Sequence, residues 1–231
     1  MKDNIFKCFG ISKNEIKSIL SPFLQDNKGV YISIEGENLL VDITLQADDT
    51  NNFFYEVSRE VFEKFNPFIY AESDISLEET AFELLKLNKL KIAIAESITG
   101  GELISSIIKK NSGASEVVIE GNVVYSNEAK MRLGVSKQVL DRYTSVSMET
   151  THEMARCLLE NTNTDIVIST TGYATSESDE GLVFIGLGDR SKIDIFKNKF
   201  CGTREEIIRT TTQAGLFYLI KKLRKNDFVL E

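Results

Sequence analysis

Apolar positions recur along this chain in two periods, and the switches between them mark the elements. Ile5 to Phe9 reads as a short strand, and Ser12 to Leu24 as a helix. Val30–Ile34 and Leu39–Ile43 are β-branched runs joined by Glu35-Gly36-Glu37-Asn38, a hairpin connection. Asn51 to Phe65 returns to helical spacing, with Phe54, Val57, Val61 and Phe65 on one stripe, and Phe68-Ile69-Tyr70 closes the unit as a strand. The alternation βαββαβ predicts a small α+β domain over residues 1–72. A boundary follows near Ala71 to Ile75. There Ser76 and Glu79 form a capping box that opens a helix to about Asn88.

Residues 73–231 alternate helix and strand. Lys91–Ala95, Val117–Tyr125, Asp165–Thr170, Leu182–Leu187 and Lys192–Phe200 read as strands. Helical stripes fall between Gly101 and Asn111, and over Asn127–Leu133, Lys137–Tyr143 and Ser147–Glu160. Thr203 to Lys225 is a long closing helix with a second capping box, Thr203 and Glu206. Some strands follow one another as hairpins, so the sheet is expected to be mixed and the chain α/β.

Composition narrows the chemistry. With 42% hydrophobic residues and only 2 prolines in 231, the chain is globular. No run approaches the roughly 18 apolar residues of a membrane helix. The net charge of −8 and pI near 5.0 lack the basic footprint of a nucleic-acid binder. Cys8, Cys157 and Cys201 form no close pair, which suits a reducing cytoplasm and disfavours disulfide or zinc frameworks. The one histidine, His152, lies mid-helix, so multi-histidine metal sites are excluded and no metal is expected.

What remains is a strand that runs straight into Ser97-Ile98-Thr99-Gly100-Gly101 and a helix. Such a junction either makes a tight capped turn or aims backbone N–H groups at an anion, with Ser97 as nucleophile. With histidine scarce, the base type left is lysine, which needs burial or a nearby cation to lose its proton. Lys130 lies about one turn into a helix, with Asn127 as its expected N-cap and Tyr125 at the end of the strand before it. It is either that base or a surface lysine. Arg204 sits in a first helical turn, where the macrodipole disfavours a cation. Either Glu205 and Glu206 compensate it, or a phosphate does. Glu177-Ser178-Asp179-Glu180 reads as a solvated loop.

Together these segments resemble one family. Ala95–Gly101 (A-E-S-x-T-G-G), Ser112–Ser115 (S-G-A-S), Val124–Lys130 (V-Y-S-N-E-A-K), Thr171-Gly172 and Phe200–Arg209 (F-x-G-x-R-E-x-I-R) occur in the order found in the CinA C-terminal domain. That is the nicotinamide-nucleotide amidohydrolase (PncC) family. The segment before it resembles the small KH-type domain of CinA proteins. The resemblance implies a three-layer α/β/α domain with a KH-like α+β domain before it. It also implies a homo-oligomer that deamidates nicotinamide mononucleotide to nicotinate mononucleotide, without metal or cofactor. Carried onto this chain, Ser97 attacks or holds the amide, Lys130 is the base and Tyr125 assists. Thr99, Gly100 and Gly101 offer backbone donors, Ser115, Asn127, Thr171 and Gly172 shape the pocket, and Arg204 meets the phosphate. The partner is a small-molecule nucleotide rather than a nucleic acid or membrane. Two departures stand out. Ile98 replaces the family's usual cysteine, and the segment Tyr173–Gly181 is shorter and more acidic than the family's glycine- and proline-rich loop.

Overall fold

The computed structural model describes residues 1–25, 28–175 and 179–226. The chain divides into two compact units, Met1–Thr80 and Ala81–Glu231. The division falls inside the helix Leu77–Leu87, a few residues after the boundary expected near Ala71 to Ile75.

In the first unit, β1 (Lys2–Phe9), β2 (Tyr31–Glu37), β3 (Leu40–Ala47) and β4 (Ile69–Ala71) form an antiparallel sheet in the order β2-β3-β1-β4. Helices α1 (Lys13–Gln25) and α2 (Phe54–Phe65) complete the unit. Alternation along β3 sends Val41, Ile43 and Leu45 to one face, where Ile16 and Leu20 of α1 and Val57, Val61 and Phe65 of α2 join them in one core.

The second unit is built on a mixed sheet. Its strands are β5 (Ile92–Glu96), β6 (Val118–Val123), β7 (Ile166–Gly172), β8 (Leu182–Gly188) and β9 (Ile193–Lys199), in the order β6-β5-β7-β8-β9. β6 and β7 run parallel to β5, while β8 and β9 are antiparallel additions. Helix α3 (Leu77–Leu87) leads into β5, and α4 (Glu102–Lys110) makes the crossover to β6. Helices α5 (Asn127–Leu133), α6 (Lys137–Tyr143) and α7 (Met148–Asn161) cover one face, where Ala93, Ala95 and Val167 meet Met154, Ala155 and Leu158. On the other face α4 packs with the closing helix α8 (Arg204–Asn226). The expected α/β/α layering with a mixed sheet is therefore observed. Small residues on β5 let α7 lie close, and this compact layer forms the wall behind the candidate site.

Among the described residues no helix is long and apolar enough to cross a membrane.

Candidate active site

Parallel strands align their carboxyl ends, so β5 and β7 deliver the residues that follow them to one edge of the sheet. Ser97 is the first residue past β5. Its N–H donates to Thr170 O at 2.9 Å, and Val124 N–H donates to Glu96 O at 2.7 Å, so the strand end is pinned on both sides. Ser97 is 9% exposed.

Lys130 comes to it from α5. The N-cap of that helix is Ser126, whose hydroxyl accepts from Ala129 N–H at 3.1 Å. The cap is thus Ser126 and not the expected Asn127, because at Ser126 the backbone is still extended, as a cap requires. Asn127 is instead an exposed first-turn residue. The shift leaves Lys130 facing the sheet. Its side chain is 1% exposed, and Nζ lies 3.0 Å from Ser97 Oγ, 2.9 Å from Val124 O and 3.3 Å from Tyr125 O. No carboxylate is among these partners. Burial alone lowers its pKa from the ordinary lysine value to about 8.

The other expected residues divide. Thr99 is buried and shares a hydrogen bond between hydroxyls with Thr170 at 2.8 Å. Gly100 and Gly101 both take positive φ, 61° and 99°, which turns the chain sharply into α4. The N–H of Gly101 is taken by Glu96 Oε2 at 3.0 Å, so it is not a donor for a ligand. Among the described residues the N–H groups of Thr99 and Gly100 have no acceptor. Tyr125 contributes its carbonyl to Lys130, and the residue is 67% exposed. Thr171 points to the α7 side, fully buried, with its hydroxyl 2.9 Å from that of Thr151. Gly172 permits a close approach: a Cβ there would lie 2.7 Å from Ile98 Cδ1 and 2.8 Å from Leu182 O.

Ser115 is not brought to Ser97. It precedes β6, and β6 runs parallel to β5, so it sits at the opposite end of the sheet, about 15 Å away along the strand direction. There it lines an apolar groove with Ile104, Ile108, Val118 and Ile119.

Arg204 does return to the Ser97 end, because two antiparallel reversals bring the chain out of β9 at that edge. It is exposed and donates from Nη1 to Thr175 Oγ1 at 3.2 Å. Glu206 does not compensate it. Glu206 accepts from Thr203 N–H at 2.7 Å while Thr203 Oγ1 accepts from Glu206 N–H at 3.3 Å, the expected capping box. Of the acidic segment Tyr173–Gly181, Ser176, Glu177 and Ser178 lie outside the described residues; Asp179 and Glu180 are exposed. His152 lies exposed on α7. Among the described residues no group of three or more His, Cys, Asp or Glu gathers as a metal site.

The residue missed by sequence reasoning is Glu96. The residue is 1% exposed, and its carboxylate accepts from Gly101 N–H (3.0 Å), Leu103 N–H (3.0 Å) and Ile104 N–H (2.8 Å). The helix end read as an anion site already holds the protein's own carboxylate. The available signal was an acidic residue closing an apolar strand just before the glycine turn.

The family model of the CinA C-terminal domain matches residues 74–223, well over half of the sequence. The chain belongs to the CinA family. A relative bearing the competence-damage inducible name, from Clostridium beijerinckii, is 37% identical over 234 residues, an alignment covering 96% of this chain and 56% of the relative. A CinA-like protein of Kosmotoga olearia is 34% identical over 232 residues, covering 95% of this chain and 56% of its own length. The chain thus spans a little over half the length of these curated CinA relatives. Among solved structures, a CinA superfamily protein from Klebsiella pneumoniae matches with a TM-score of 0.61 at 25% identity, covering 65% of this chain and 99% of its own. A competence or damage-inducible protein from Enterobacter asburiae matches with a TM-score of 0.61 at 31% identity, over 64% of this chain and 96% of its own. The resemblance drawn from the A-E-S-x-T-G-G and V-Y-S-N-E-A-K runs therefore holds at the level of the family.

Proposed function

We propose that the second unit is a metal-independent amidohydrolase of pyridine mononucleotides, deamidating nicotinamide mononucleotide to nicotinate mononucleotide in the cytoplasm. The observation that carries this reading is the buried contact of 3.0 Å between Lys130 Nζ and Ser97 Oγ. A neutral lysine amine has two N–H bonds and one lone pair. The carbonyls of Val124 and Tyr125 accept the two N–H groups, which leaves the lone pair to the Ser97 hydroxyl.

In the proposed reaction Ser97 Oγ bonds to the amide carbon and its proton passes to Lys130. The carbonyl oxygen gains the negative charge next to the N–H groups of Thr99 and Gly100. As the C–N bond breaks, Lys130 returns the proton to the leaving nitrogen and ammonia departs. Water, deprotonated by Lys130, then hydrolyses the ester and frees Ser97. Arg204 holds the 5′-phosphate through charge-assisted hydrogen bonds. Residues 1–72 are proposed to be a KH-type module without a part in this chemistry, and the protein is proposed to work as a homo-oligomer.

A second reading, nucleotide binding without turnover, is favoured by Asp179 and Glu180, whose charges oppose a phosphate near Arg204. Ammonia release from nicotinamide mononucleotide, paired with binding calorimetry, separates the two. Ammonia in step with nicotinate mononucleotide supports the hydrolase; binding without ammonia selects the second reading; neither sinks both.

A further inference from the structure

We infer that Glu96 is a positioning residue for the Ser97 nucleophile, dividing the N–H groups of the turn between the helix cap and the reacting oxygen. This deepens the proposed hydrolase reading and rests on it.

Glu96 and Ser97 are adjacent at the end of β5. Side chains alternate along a strand, so Glu96 points toward α4 while Ser97 turns to the α5 side. A buried carboxylate needs partners, and Glu96 finds them in three consecutive-turn N–H groups, those of Gly101, Leu103 and Ile104. Both carboxylate oxygens are engaged, Oε2 twice and Oε1 once. The loop between Glu96 and Gly101 is therefore closed by a side chain at one end and a left-handed glycine at the other.

Closing the loop fixes which N–H groups are left over. Gly101 turns inward to Glu96. Ile98, Thr99 and Gly100, just before it, keep N–H groups with no acceptor among the described residues. Thr99 is further held by its hydroxyl bond to Thr170, which ties the segment between the nucleophile and the glycine pair to β7. Without the Glu96 carboxylate, the N–H groups of Gly101, Leu103 and Ile104 would lose their acceptor, and the turn would be held only by the Glu102 N–H bond to Thr99 O and the Thr99–Thr170 hydroxyl bond. Its three freed N–H groups would then compete for any substrate anion, drawing it away from Ser97.

Glu96 also acts through the main chain. Its carbonyl accepts from Val124 N–H, and the Val124 carbonyl in turn accepts from Lys130. This link is made by the backbone of residue 96 and persists in any Glu96 variant, so it joins the nucleophile side to the amine side independently of the carboxylate. Glu96 touches neither the reacting atoms nor Lys130 directly.

The test is covalent labelling of Ser97 in the full chain by an alkyl fluorophosphonate. The serine oxygen bonds to phosphorus, the P–F bond breaks, fluoride leaves and the serine proton goes to Lys130. Labelling rates are measured from pH 6 to 10 for the wild type, Glu96→Gln and Glu96→Ala, with thermal unfolding of each variant. Glu96→Gln keeps the volume and one acceptor, so it remains folded if Glu96→Ala does not. The expected result is a rate at least tenfold lower in Glu96→Gln. Its pH midpoint should stay near 8, since the Lys130 shift comes from burial and not from Glu96. A variant with a lower melting temperature and an unchanged labelling rate makes Glu96 a helix cap alone, and overturns the inference. A moved midpoint overturns it too, because Glu96 would then act on the base. A wild type that is not labelled at any pH removes the activated serine itself, and with it the hydrolase reading on which the inference rests.

Discussion

Two helices begin at the same edge of the mixed sheet, and they begin differently. At α4 the chain fills its own anion site: a buried glutamate occupies the N–H groups, and the turn before it is closed. At α8 the capping box is exposed, and the first helical residue is an arginine with a neutral partner, Thr175. Either helix end could attract a phosphate through its dipole. Only the second is left open to one. The contrast assigns separate tasks under the proposed function: the closed end holds a nucleophile in place, and the open end anchors charge. Burial follows the same division. Lys130 is desolvated, which lowers its pKa to about 8, while Arg204 lies at the surface.

Removing Lys130, the proposed base, makes the largest break. Lys130→Met should lower kcat by about 10²- to 10⁴-fold, the usual range for general-base catalysis. Nucleotide affinity should stay within about tenfold, a difference of about 1.4 kcal/mol. Rates from ammonia release and affinity from calorimetry check the two halves. A mutant that keeps most of its rate places the chemistry elsewhere, and the closed α4 end becomes architecture.

The open end is tested by Arg204→Ala. A hydrogen bond to a charged group is worth about 1.5–3 kcal/mol, so affinity for nicotinamide mononucleotide should fall roughly 10- to 100-fold. Affinity for the dephosphorylated riboside should be unaffected. Equal losses for both ligands would assign Arg204 to holding the Thr175 loop.

Much of this arrangement was legible from residue order. Strand and helix periods located the elements of the sheet, and the capping boxes at Ser76 and Thr203 are present as read. The two runs that carry Ser97 and Lys130 lie 33 residues apart, and no periodicity says that they meet. Scarce histidine makes Lys130 a candidate base for Ser97, with a surface lysine as the alternative, and the family resemblance favours the pairing. Ser115 shows the opposite case. The β5–α4–β6 order is a crossover, which makes β6 parallel to β5 and sends the residues before β6 to the far end of the sheet. That information was present in the sequence, and the motif order masked it. Glu96 escaped for a different reason. A carboxylate that caps a helix from the preceding strand lies outside the usual N-cap spacing, so local capping rules do not find it.

Burial as the cause of the Lys130 shift makes a thermodynamic prediction. Between about pH 8 and 10.5 the unfolded chain holds a proton on this amine that the folded chain has released, so stability rises with pH in that window and the contribution is missing below it. From pH 7 to pH 9 the wild type should gain about 1 kcal/mol relative to Lys130→Met, where the group is absent. Urea unfolding of both proteins at the two pH values gives the difference, and taking it cancels the other titrating groups. A flat difference means that the amine is solvated in the folded chain, and the closed end is then less closed than its geometry.

The smallest effect sharpens the open end. Thr203→Ala removes the hydroxyl that caps Glu206 N–H and leaves the Glu206 carboxylate with one partner fewer to hold it in place. Losing such a cap costs about 1 kcal/mol, and at an exposed helix end the lower part of the usual range applies. The α8 end has no contact with Ser97 or Lys130 among the described hydrogen bonds, so kcat should not move. KM for the mononucleotide should rise two- to threefold, because Arg204 sits in the turn that frays. KM for the riboside should stay put. Loss of kcat together with the rise in KM would mean that the two helix ends work as one unit, and the division of labour between a closed end and an open one would have to be abandoned.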